Sequence, residues 1–147
     1  MDLKFAIEKG IPFVGRTEVK VLESERGYVK MMMPLEPNIN HVGTMYAAAL
    51  FTLAELPGGA IFLSTFDASQ FYPIIKGMEI KFLKPAATDI TVEVRLDPGE
   101  ASKIQQAANE VGKANYDWEC ELKDADGQVV AVSSNHYQLR RMKPSGA

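Results

Sequence analysis

The stretch from Asn40 to Leu63, NHVGTMYAAALFTLAELPGGAIFL, constrains the fold more than any other part of the chain. Between Met45 and Leu63 only Thr52 and Glu55 carry strongly polar side chains, so a helix here is apolar nearly all round. A helix without a polar face is a buried one. Glu55, Pro57 and the Gly58-Gly59 pair interrupt the run, which falls short of the about 20 continuous apolar residues of a membrane span. The rest of the chain is therefore expected to wrap it.

One carboxylate sits inside that helix. Burying an ionised Glu55 without partners costs several kcal/mol or raises its pKa until it neutralises. Two readings follow: a Glu that reaches the helix flank and pairs with a strand Lys or Arg, or a functional acid or base. Pro57 lacks an N–H and leaves the carbonyl of Leu53 without its helical partner, which predicts a kink just past Glu55.

Apolar residues make up 46% of the 147 positions, enough to fill the core of one domain spanning 1–147. With 19 acidic and 16 basic residues the net charge is -3, which lacks the basic footprint of a nucleic-acid binder. Cys120 is the single cysteine, so an intrachain disulfide is excluded, and His41 and His136 with that thiol match no zinc spacing. The opening MDLKFAIEKG has no long apolar core and does not read as a secretory signal, so the expected location is cytoplasmic.

Around the central stretch the elements read in order. Residues 2–10 read as a short helix with Asp2 at its start and Gly10-Pro12 at its end. Residues 17–23 and 28–35 alternate about an Arg26-Gly27 turn and read as a hairpin, in which Met31 to Met33 read as core filling ahead of the alternative, a pliable ligand surface. A polar connection spans 65–73, and strands follow at 78–82 and 90–96. Asp97-Pro98-Gly99-Glu100 has the form of a helix start, and Ile104, Ala107, Ala108 and Val111 then share a face up to Gly112. Residues 116–123 and 129–139 form a closing hairpin about Asp126-Gly127, and a flexible basic tail is expected over 141–147. Strands with one dry and one wet face imply an antiparallel sheet, and only the apolar helix can fill its dry side. The predicted fold class is α+β: a curved antiparallel sheet wrapped around one long buried helix, the hotdog arrangement, with short surface helices added.

The motif in the central stretch resembles the PaaI-like branch of the hotdog thioesterases. That branch has an Asn, then a Gly, then His-Gly-Gly at the helix head and an Asp further along. Asn40, Gly43, Tyr46-Ala47-Ala48 and Glu55 stand at the same spacing, and Phe82-Leu83-Lys84-Pro85-Ala86 matches a strand with its Pro exit. Tyr46 replaces the His, and Ala47-Ala48 replace the two glycines. The resemblance implies that Glu55 activates water or attacks directly, that the Ala47 N–H stabilises the oxyanion, and that Asn40 positions the water or the carboxylate. It places Tyr46 at the catalytic head and Gly43, His41, Thr44, Ala48, Phe82 and Lys84 along the substrate, with His41 at the rim. The substrate implied is a thioester of coenzyme A or an acyl carrier protein, with no cofactor beyond the coenzyme A it carries. Lys84, Arg140, Arg141 and Lys143 are candidates to meet its phosphates, although solvated surface charges read the same way.

The first turn of a helix supplies unpaired N–H donors at the positive end of its dipole. Ala47 and Glu55, however, are eight residues apart, about 12 Å along one helix, too far to serve one carbonyl carbon. Two helices packed antiparallel about a twofold axis bring the head of one to the middle of the other, so a homodimer or dimer of dimers is expected. A non-catalytic acyl-CoA binding module, motivated by Tyr46 and Ala47-Ala48, is the alternative, and an enoyl hydratase or dehydratase a weaker one. Cys120 reads as a core thiol, and Ser133, Ser134 and His136 lack the strand-turn-helix elbow of a serine hydrolase.

Overall fold

In the computed structural model, residues 2–143 are described. The chain opens with α1 (Leu3–Lys9) and α2 (Pro12–Thr17), followed by β1 (Lys20–Glu25) and β2 (Tyr28–Met33). A single 3-10 turn at Glu36–Asn38 leads to α3 (Ala47–Thr65). Then come β3 (Phe71–Phe82), β4 (Ile90–Arg95), α4 (Pro98–Val111), β5 (Lys113–Lys123) and β6 (Val129–Arg141). The six strands form one antiparallel sheet in the order β1-β2-β4-β5-β6-β3. This is the hotdog arrangement, with α3 packed on the dry face.

The core forms where α3 meets the sheet. Leu53, Ala54 and Ala60 of α3 are fully buried against Val29, Met31 and Met33 of β2 and Ile90 and Val92 of β4. Met31 and Met33 point inward while Met32 lies on the other face, so the methionine run is core filling at alternate positions. Truncating a side chain such as Leu53 to Ala costs about 2–5 kcal/mol. A second cluster lies under α4, where Ala101, Ile104 and Ala108 cover Phe62, Phe66 and Tyr116. The Asp97 carboxylate accepts the N–H groups of Gly99 and Glu100 at 3.0 and 3.2 Å, which caps α4 as its sequence predicts.

Several boundaries differ from the sequence reading, each for a physical reason. Residues 12–17 form α2 where no helix was expected, because Pro12 sits at its first position, where its missing N–H costs nothing. The first strand therefore begins at Lys20 rather than at 17. β3 begins at Phe71, seven residues before the expected strand, and takes in Pro73. An edge strand tolerates a proline, and β3 is an edge strand that bulges between Ile75 and Gly77. Val111, placed on the apolar face of α4, is exposed, and Ala101 takes its role. The helix at α3 runs unbroken through Pro57 to Thr65. By length and composition alone α3 could cross a membrane, yet most of it is buried inside the fold. Of the expected basic tail, Arg141 ends β6, and 144–147 lie outside the described residues.

Candidate active site

The approach to α3 is a small loop tied by its own side chains. Asn40 accepts the N–H groups of Val42 and Thr44 at 2.9 and 3.1 Å and donates from Nδ2 to the Thr44 hydroxyl at 2.9 Å. Gly43 closes the loop at φ 87°, a left-handed backbone that favours glycine. Met45 N–H donates to the Ala86 carbonyl at 2.8 Å, which brings the exit of β3, with Phe82 and Lys84, alongside the loop. Tyr46 N–H donates to the Asn38 carbonyl at 2.8 Å, and this pair of bonds aims the head of α3.

That head is open. Tyr46 takes the N-cap position in an extended conformation, and among the described residues no side chain caps the helix. Its carbonyl accepts from Ala49 and Leu50 N–H, while the N–H groups of Ala47 and Ala48 have no partner among the described residues. Ala47, Ala48 and Tyr46 are exposed, as is His41. Two free donors at the positive end of a 19-residue helix form an anion-stabilising group. Thr44 is half-buried and serves the Asn40 loop. Lys84 is exposed and donates to the Gln128 side chain at 3.1 Å. Arg140 donates to Gln138 at 2.8 Å, and Arg141 donates to the Asn109 carbonyl.

Glu55 stands two turns further along α3, half-buried and apart from the head. Among the described residues no Lys, Arg or His forms an ion pair with it, so the flank-pairing reading does not describe it. Its polar neighbour is the Tyr137 hydroxyl of β6, 3.3 Å from Oε1, which also donates to the Glu55 main-chain carbonyl at 2.8 Å. Burial pushes the Glu55 pKa above the ordinary carboxylate value, and the bond from Tyr137 offsets part of that rise. A carboxyl raised in this way is a better base near neutrality than a solvated one.

Tyr137 is the residue the sequence reading missed. It lies in the closing strand at an inward position, paired across the sheet with Tyr116. Its ring is 5.5 Å from that of Tyr116 and 5.7 Å from that of Trp118. Only its alternation with Asn135 and Leu139 marks it in the sequence as inward-facing, and nothing there points to Glu55.

Around the head and Glu55 the surface is open and partly apolar. Beyond the first turn, the unburied positions of α3 include Phe51, Glu55, Gly59 and Leu63, a repeat of four that marks one side of the helix. β3 ends the sheet with 12 residues whose outer edge has no partner strand among the described residues, and Tyr72, Ile75 and Phe82 are exposed along it. Val42, at 69% exposure, adds to the apolar surface beside the head. A cavity of about 790 Å³ opens elsewhere, on the wet face of the sheet between Glu79, Glu93, Glu119 and Lys123, and none of the expected site residues lines it. Cys120 is buried with Sγ 3.0 Å from the Ser133 hydroxyl, and burial pushes its thiol pKa up, as suits a core thiol.

Comparison with known proteins agrees with this architecture. The family described as a domain of unknown function, DUF4442, matches residues 3–138. A crystal structure from Pseudomonas aeruginosa, of a protein of unknown function described as a probable thioesterase, is 48% identical. It superposes with a TM-score of 0.93, covering 95% of this chain and 94% of that one. A protein of unknown function from Chlorobaculum tepidum TLS is 17% identical with a TM-score of 0.82, covering 95% and 93% of the two chains. A mutant of a thioesterase enzyme from Staphylococcus aureus subsp. aureus Mu50 is 16% identical with a TM-score of 0.70, covering 88% of this chain and 99% of that one. At these last two identities the likeness is one of fold. Among curated proteins none matches the chain.

Proposed function

The chain belongs to the DUF4442 family and shares the hotdog fold of thioesterases, and from that premise we propose that it hydrolyses acyl thioesters of coenzyme A or an acyl carrier protein. The observation that carries this reading is the pairing of a helix head and a half-buried carboxylate that, among the described residues, have no side-chain cap and no cation partner. The 48% identical relative described as a probable thioesterase supports the reaction class, and the spacing from Asn40 to Glu55 supports a PaaI-like site.

In the proposed reaction the thioester carbonyl oxygen lies against the Ala47 and Ala48 N–H groups, which stabilise it as it becomes an oxyanion. Glu55 takes a proton from water, and the resulting hydroxide attacks the carbonyl carbon. The tetrahedral intermediate collapses to expel the thiolate, which regains a proton as free thiol, and the acyl group leaves as the free acid. Attack by Glu55 itself, followed by hydrolysis of the anhydride, uses the same groups. Asn40 holds the loop that presents the head, Tyr46 and His41 flank it, and Gly43, Thr44, Phe82 and Lys84 border the substrate path. Water is the co-reactant, and coenzyme A enters as part of the substrate.

Ala47 and Glu55 of one chain are about 12 Å apart along α3, so the site is completed by a second copy. The open edge of β3 and the exposed strip of α3 suit such a homodimer, because a long apolar edge strand left unpaired invites pairing with another chain. Two composite sites per dimer then follow from the twofold axis. Thiol release from short, long and aromatic acyl-CoAs, comparing the native protein with Glu55→Gln, tests the reading. Turnover that falls roughly a hundredfold or more in the variant supports it. No thiol release from any thioester contradicts it and favours a binding module.

A further inference from the structure

Resting on the reading of Glu55 as the base, we propose that Tyr137 is a positioning residue that holds the Glu55 carboxyl in both of its protonation states. A phenol hydroxyl has one proton to donate and two lone pairs to accept with. Here that hydroxyl lies between two oxygens of the same residue, 2.8 Å from the Glu55 carbonyl and 3.3 Å from Oε1. When the carboxyl is ionised, the hydroxyl proton turns to Oε1. Once Glu55 has taken the proton of water, the new carboxyl O–H donates to the phenol oxygen, and the phenol proton turns to the main-chain carbonyl. The phenol proton only changes acceptor, so Tyr137 neither gains nor loses a proton over the cycle.

The fold fixes the phenol for this task. Tyr137 is 4% exposed, and the Tyr116 and Trp118 rings wall it on the sheet side. On the helix side it occupies a notch at Gly58, where a Cβ would lie 2.2 Å from the ring carbon that bears the hydroxyl. A glycine three residues past Glu55 is what lets the ring reach the carboxylate. The titratable groups facing this pair from the sheet are Tyr116 and Cys120, both held neutral by burial, so no nearby charge substitutes for the hydroxyl.

Tyr137→Phe keeps the ring in its notch and removes only the hydroxyl. Two readouts apply: the pH titration of the Glu55 carboxyl by infrared spectroscopy, with the band assigned by its loss in Glu55→Gln, and the pH profile of kcat/KM for an acyl-CoA. The expected result is a Glu55 titration displaced to higher pH, an acidic limb of the rate profile displaced the same way, and kcat lowered roughly tenfold at unchanged KM. Gly58→Ala, which pushes the ring away, displaces the titration in the same direction. A Glu55 titration identical in native protein and Tyr137→Phe overturns the proposal even if thioesters are hydrolysed. A displaced titration without any hydrolysis upholds the contact while the hydrolase reading, and with it any catalytic use of Tyr137, falls.

Discussion

Gly58 and Tyr137 are fitted to each other across the core: a Cβ built at 58 meets the Tyr137 ring and its hydroxyl at 2.2 to 2.5 Å. In an ordinary helix, Gly to Ala adds about 0.5–1 kcal/mol of stability. At this position the added methyl has to displace a buried ring. Gly58→Ala is therefore expected to destabilise the fold by about 1–3 kcal/mol, measured by chemical denaturation. A stabilised variant would mean that the ring has room to move.

Glu55 makes stability depend on pH with a definite sign. Its pKa is raised in the folded state by burial, so the folded protein holds the proton more tightly than the unfolded chain does. The resulting destabilisation is complete above the folded pKa and vanishes below the unfolded one. Glu55→Gln should raise the melting temperature at neutral pH, and the gain should fade as the pH falls below the ordinary carboxylate value of 4.5. A gain of equal size at all pH values would deny the raised pKa. Gaining stability while losing activity is the usual mark of a functional group held at a cost.

Phe51 is 43% exposed on the open strip of α3, so a charge there leaves the chain's own core intact. In the proposed dimer the same position is covered. Phe51→Asp should weaken association at least tenfold in analytical ultracentrifugation, and thiol release should fall in step with the dimer fraction. A fully dimeric variant would remove the α3 strip from the interface.

Asp97 serves as a control that is not among the proposed site residues. Removing its cap from α4 with Asp97→Ala should cost about 1 kcal/mol in denaturation and leave kcat and KM unchanged. A large activity loss would tie α4 to the site.

The fold was legible where the signals are local. The apolar helix announces itself by lacking a polar face, the start of α4 by Asp97-Pro98-Gly99-Glu100, and the closing hairpin by alternation about Asp126-Gly127. Two prolines hid the start of an element, because Pro12 reads as the end of the first helix and Pro73 closes a stretch that reads as a connection. The first opens α2 and the second rides the sheet edge, where a missing N–H goes unnoticed. The loop and head residues from Asn40 to Ala48 were legible as a motif, and so was Glu55. Tyr137 was not, because its meeting with Glu55 spans 82 residues and depends on the register of β6 and on the space left at Gly58.

Complementation between two inactive variants decides whether the proposed site is shared between two chains. Ala47→Pro removes one donor N–H at a first-turn position that accepts proline, and Glu55→Gln removes the proposed base. Each variant alone should be nearly inactive. Equal amounts unfolded together and refolded should form mixed dimers in which one site keeps both its Glu55 and its Ala47 donor, restoring about a quarter of native turnover. A mixture as inactive as its components would contradict a site shared between two chains.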